Sequence, residues 1–266
     1  MPDLQLSGGL VIHYVDAQFS GSPPVMLLHG LGVNSESWGM QVPALEGAGF
    51  RILMPDIRGF GKSTFPGGSV TVRRLASDIV LLLHNLHIPS TVVVGISMGG
   101  ALALQMALDN PELVSRLILI NTFSHLRPKR VKTWVYFAVR FAMLHIIGLK
   151  AQAHAVANHL FPSPADAALR EIFYTQISQA DPAGYRAAMR ALARFNVSRR
   201  LKEIAIPTLV ITGENDNTVP PDLQSALAAN IPNARHVLIA GAGHAVIVEK
   251  PDRVNRLLIS FIADGA

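Results

Sequence analysis

Cysteine is absent from the 266 residues, which excludes disulfides, thiolate nucleophiles and cysteine-ligated metals. Charge is scarce: 15% of residues are charged against 50% hydrophobic, so a large core can be buried and disorder is not expected. Acidic residues are missing between Glu112 and Asp166, a span that carries Arg116, Arg127, Lys129, Arg130, Lys132, Arg140 and Lys150. The net charge of +5 is modest for this length, and no aromatic residues interleave with the basic cluster around Arg127 and Lys132. Nucleic acid is therefore not an expected partner. No uninterrupted apolar run reaches membrane length. The most apolar stretch, "WVYFAVRFAMLHIIGL", is broken by Arg140 and His145. The beginning, "MPDLQLSGG", lacks the basic start and apolar run of a secretion signal. The expectation is a cytoplasmic protein without an integral membrane span, a monomer or homodimer.

What is present is a rhythm of short apolar runs. "VMLL" (25–28), "RILM" (51–54), "TVVVG" (91–95), "LILIN" (117–121), "TLVIT" (208–212) and "RHVLI" (235–239) suit strands covered on both faces. Segments with apolar spacing of three and four lie between most of them, such as "VRRLASDIVLLLHNL" and "DRVNRLLISFI". Strand and helix in alternation predict a doubly wound, mostly parallel sheet. "LQLSGGLVIHYVDAQF" before it reads as an antiparallel hairpin around a Gly-Gly turn. From 124 to 201 only helical patterns occur, which predicts a helical insertion, a lid, between core segments 1–123 and 202–266.

The sequence "VVVGISMGG" places Ser97 between Gly95 and Gly99 at the end of an apolar strand and the start of a helical run. This is the G-x-S-x-G arrangement of a strained strand-to-helix turn that exposes a serine hydroxyl at the carboxyl edge of a sheet. A serine needs a base, and the base needs an acid to orient it, in the chain order Ser, Asp, His. "GAGHAVIVEKP" after the last strand supplies His244, and "GENDNTVP" after "TLVIT" supplies Asp216. Glu214 is the local rival and Asp56 the remote one. The developing oxyanion needs preset donors. Met98 N–H, next to the serine, and Leu31 N–H, in "HGLGVNSESW" after the first parallel strand, are the candidates. The His29 side chain is read as shaping that turn.

These blocks, with "MPDIRGFGKS", "VSRLILINT" and "IPTLVITGENDNTVP", resemble the α/β-hydrolase superfamily, in its single-domain branch with a helical lid. The resemblance covers nearly the whole chain apart from the lid. It implies an eight-stranded, mostly parallel sheet flanked by helices. It also implies the triad Ser97, Asp216 and His244, with the Leu31 and Met98 amides as oxyanion hole. In "MPDIRGFGKS", Asp56 and Arg58 are read as making an internal ion pair or hydrogen bonds to backbone. A serine at the turn, where dehalogenases and epoxide hydrolases of this fold carry a carboxylate, points to acyl transfer.

The implied activity is hydrolysis of small to medium, apolar carboxylic esters through an acyl-enzyme, with no cofactor and no metal. Lactonase, carbon–carbon bond hydrolase and perhydrolase share the triad. A receptor of the same fold with little turnover is the alternative of another class. For the pocket the candidates are Trp38, near the oxyanion loop, Phe123, at a strand end, and Trp134, Phe137 and Phe141, near one face of a lid helix. That helix carries Val135, Val139, Ala142 and Ile146 on a second face, so it is expected to be buried on both sides.

Overall fold

The computed structural model describes residues 2–17, 24–126 and 131–264, with side chains left undescribed at 131–134, 136 and 137. The strands are β1 (Asp3–Gln5), β2 (Val11–Ala17), β3 (Val25–Leu28), β4 (Ile52–Pro55), β5 (Thr91–Ile96), β6 (Val114–Ile120), β7 (Thr208–Gly213) and β8 (Ala234–Ile239). They form one sheet in the order β1-β2-β4-β3-β5-β6-β7-β8. The β1/β2 and β2/β4 pairs are antiparallel and all others parallel. The helices are α1 (Val42–Gly47), α2 (Val72–Asn85), α3 (Met98–Asp109), α4 (Val131–Ile146), α5 (Leu149–Leu160), α6 (Ala167–Gln179), α7 (Pro182–Arg194), α8 (Pro221–Ala229), α9 (Val246–Glu249) and α10 (Pro251–Ala263).

The continuous apolar runs arise because both faces of the sheet are covered. Side chains alternate along a strand. Val93, Leu117 and Leu119 therefore join the core under α2 and α3, while Val92, Val94, Ile118 and Ile120 join the core under α1 and α10. Helices α4 to α7 follow β6 and precede β7. Their inner face belongs to the first core through Leu144, Val156, Phe173, Ile177 and Leu192.

The expectation for α4 is corrected on one face. Leu144 is buried, but Val135, Val139, Ala142 and Ile146 face outward, with Ile146 82% exposed. Apolar spacing shows that a helix has two greasy faces, and does not say that each has something to lie on. The basic residues Arg127, Lys129 and Arg130 lie outside the described residues. No described helix is long and apolar enough to cross a membrane.

Candidate active site

Ser97 sits between β5 and α3 with φ 53° and ψ −114°, a conformation disfavoured for any residue with a Cβ. The surroundings hold it there. Its N–H donates to Ile120 O at 3.0 Å, and its carbonyl accepts from Thr122 Oγ1 at 2.7 Å and from Ala101 N–H at 3.1 Å. The flanking glycines are required by space. A Cβ on Gly95 would overlap the Gly99 carbonyl, and one on Gly99 would overlap the Leu28 carbonyl of β3. The turn thus presses α3 onto the sheet and turns the serine side chain into a cavity of about 850 Å³, part of it open to solvent.

His244, in the loop between β8 and α9, lines the same cavity. Its Nδ1 lies 2.9 Å from Asp216 Oδ2. Because a carboxylate only accepts, Nδ1 carries a proton, and in the neutral ring Nε2 is then the nitrogen with the lone pair. Asp216, after β7, is buried, and its other contacts are all donors: Thr218 N–H at 2.9 Å and Val219 N–H at 2.8 Å on Oδ1, and Gln224 Nε2 at 3.0 Å on Oδ2. Among the described residues Ser97 Oγ makes no hydrogen bond, so the serine–histidine contact is open here. Such contacts commonly close only around substrate.

The rival carboxylates have other work. Glu214 accepts from Gly241 N–H at 2.9 Å. Asp56 accepts the Ser35 and Lys62 N–H groups, each at 2.8 Å. Of the two readings for Asp56 and Arg58, Asp56 takes the hydrogen bonds to backbone, and Arg58 makes a bidentate, buried ion pair with Asp78 of α2, both bonds 2.7 Å. His29 is architectural, as expected. Its Nδ1 donates to Gly30 O and its Nε2 accepts from Ile57 N–H, and burial holds its pKa below the ordinary value.

Met98 is the first residue of α3, so its N–H lacks an intrahelical acceptor. Leu31 lines the cavity beside Gly30. Of the pocket candidates, Phe123 lines the cavity. Trp38 does not: it is fully buried in the second core, with Leu45, Val94 and Ile247. Phe141 is also corrected. It points outward, 43% exposed, and stacks on His145 with ring centroids 4.1 Å apart. The side chains of Trp134 and Phe137 lie outside the described residues.

Four polar residues escaped the sequence reading. Gln224 braces Asp216. Asn121, at the end of β6, accepts from Gly213 N–H and donates to both Gly243 O and His244 O. Glu249 accepts the N–H groups of Gly243 and Ala245. Arg140 enters the cavity wall from α4. Two of them left a visible trace: Asn121 as the polar residue that closes the run "LILIN", and Arg140 as a charge inside the apolar stretch 134–149.

Known proteins agree with this architecture. Residues 23–251 match the α/β hydrolase fold family. The protein named carbamate hydrolase RutD of Stutzerimonas stutzeri is 32% identical over 250 residues, 91% of this chain and 92% of that protein. A hydrolase from Pseudomonas aeruginosa has a TM-score of 0.90 at 28% identity, covering 98% of both chains. The enol-lactonase of Burkholderia xenovorans LB400 has a TM-score of 0.89 at 27% identity, covering 98% of this chain and 99% of that one. With the sheet, the strained serine turn and these likenesses together, the chain belongs to the α/β hydrolase family and is a hydrolase of that fold.

Proposed function

We propose that the protein is a serine hydrolase that cleaves carboxylic esters through an acyl-enzyme on Ser97. The observation that carries this reading is the buried Asp216–His244 pair at 2.9 Å, opening into the cavity where the strained turn presents Ser97. In the first half-reaction Ser97 Oγ attacks the ester carbonyl and His244 Nε2 takes its proton. Asp216 holds the Nδ1–H tautomer and stabilises the imidazolium. The N–H groups of Leu31 and Met98 receive the oxyanion. His244 then returns the proton to the departing alcohol. Water, deprotonated by the same Nε2, attacks the acyl-serine, and collapse releases the acid and restores Ser97.

The helical insertion α4 to α7 acts as the lid of this site. It supplies Val156, Leu160, Phe173 and Ile177 to the cavity wall, which suits short to medium apolar chains next to the reacting carbonyl. A lactone is a cyclic ester and would pass through the same steps, and the relatives named carbamate hydrolase and enol-lactonase lend support to acyl transfer in this reading.

The test is hydrolysis of p-nitrophenyl esters from acetate to palmitate together with labelling by a fluorophosphonate probe. Wild type should turn over the short esters and be labelled. Ser97→Ala should lose both, with its melting temperature retained. Turnover that persists in Ser97→Ala, or a folded wild type that neither labels nor hydrolyses, overturns the reading.

A further inference from the structure

Two hydroxyls in the wall of the Ser97 cavity have no part in the triad. Ser37 and Thr218 line the same space as Ser97 and His244, and each is only 8% exposed. Among the described residues neither Ser37 Oγ nor Thr218 Oγ1 has a hydrogen-bond partner, and both oxygens are closed off from solvent. A buried hydroxyl without a partner is unfavourable, and alanine or valine would fill either place without that cost. Val219, Ala245 and Ile247 fill other parts of the wall in that way.

Both hydroxyls belong to segments that adjoin the loop of His244. Thr218 follows Asp216 closely, and its N–H donates at 2.9 Å to the carboxylate that holds the imidazole. Ser37 lies in the turn of residues 35–38, and just beyond it Gln41 Nε2 donates at 2.8 Å to the carbonyl of Ile247, in the helix that follows His244. A departing alcohol must come within hydrogen-bond reach of His244 Nε2 to collect its proton. The His244 side of the cavity therefore receives the alcohol, and the lid supplies Val156, Leu160, Phe173 and Ile177 around the rest of the substrate. A hydroxyl can donate one hydrogen bond and accept others. One further hydroxyl on the alcohol can thus accept from one of the two side chains and donate to the other, whereas an alkyl group leaves both unpaired. Buried groups left unpaired are a strong source of discrimination between substrates.

We propose that the substrate is an ester of a diol or polyol, and that Ser37 Oγ and Thr218 Oγ1 bind a free hydroxyl of its alcohol part. Rotation of each side chain between staggered positions brings its oxygen to the ligand. This rests on the serine-hydrolase reading, and the experiment separates the two. The substrates are 2-hydroxyethyl, 3-hydroxypropyl and 4-hydroxybutyl butyrate, paired with propyl, butyl and pentyl butyrate, in which a methyl group replaces the hydroxyl. Each rate is divided by the rate of hydroxide-catalysed hydrolysis of the same ester, which removes the electronic effect of the added oxygen.

Wild type should favour the hydroxy ester in kcat/KM by about tenfold to a hundredfold in at least one pair, the effect of buried hydroxyls paired against unpaired. That comparison needs no variant, and a wild type without preference in any pair overturns the proposal. The preference should shrink in Ser37→Ala and in Thr218→Val, disappear when the two are combined, and persist in Thr218→Ser, which keeps the hydroxyl. A preference that survives in the folded double variant lies elsewhere in the cavity and overturns the assignment. The melting temperatures of Ser37→Ala and Thr218→Val should not fall, since neither change breaks a hydrogen bond within the protein. A fall in both, with the preference intact, makes the hydroxyls structural and overturns the proposal. Butyrates cleaved with Ser97 labelled, but at equal rates within every pair, sink only the diol reading. Absence of both labelling and turnover sinks the hydrolase reading and this proposal with it.

Discussion

At the scale of single residues, the site depends on giving each polar atom one task. Asp216 illustrates this. Two amides on Oδ1 and Gln224 on Oδ2 fix the carboxylate, so the direction of the fourth contact, to His244 Nδ1, is set before substrate arrives. In Asp216→Asn the amide oxygen can accept from the Thr218 and Val219 amides only by turning its NH₂ toward His244. That favours the tautomer with the proton on Nε2, which cannot serve as base. Turnover of p-nitrophenyl butyrate should fall by roughly three to four orders of magnitude, as in another serine triad given this change. Glu214→Gln should stay near wild type, since Glu214 serves Gly241. A small loss in the first variant with a large loss in the second would exchange their roles. Ser97, Asp216 and His244 were legible as candidates because each follows a strand and stands in a short pattern that punctuates the alternation. Gln224 and Asn121 were not. Asn121 meets residues 92 and 122 to 123 positions away, and nothing local in a sequence records such a partner.

At the scale of elements, the loop that bears His244 is gripped on both sides. The Asn121 amide from β6 donates to the carbonyls of Gly243 and His244, and the Glu249 carboxylate from α9 accepts the N–H groups of Gly243 and Ala245. The imidazole is therefore positioned by its backbone as well as by Asp216. Asn121→Ala removes one side of this grip. It should lower kcat by roughly tenfold to a hundredfold while KM stays within about twofold, because loose placement of a base costs rate more than binding. Parallel losses in KM and kcat would mean that the cavity as a whole had collapsed. Elements also show where periodicity stops short. The apolar spacing of α4 is real, yet Val139 and Ile146 face outward and Phe141 stacks on His145, because a helix at the periphery has a neighbour on one side only. Trp38 differs for the opposite reason: closeness in sequence to the Leu31 loop did not show that its ring packs into the second core rather than lining the cavity.

At the scale of the whole molecule, the loops at the carboxyl edge are joined to one another, and His29 is a joint whose state depends on pH. It bridges the loop after β3, through Gly30 O, and the loop after β4, through Ile57 N–H. The second bond requires a bare Nε2, so the folded form holds neutral histidine, and burial depresses its pKa. The unfolded chain takes up a proton near the ordinary value of about 6.5. Above that pH neither state is protonated and the full stability is present. Below it the unfolded state binds the proton first, so stability falls with falling pH until the depressed folded value is reached. One group contributes a slope of about 1.4 kcal/mol per pH unit in this window. Urea unfolding of wild type from pH 7.5 to 5 should show the decline. His29→Gln, whose amide can serve both partners without titrating, should be less stable at pH 7.5 but lose less stability toward pH 5. Parallel curves for the two proteins would mean that His29 titrates alike in both states, and that the acid sensitivity lies with other groups such as His159 or His236, whose pKa values burial also lowers.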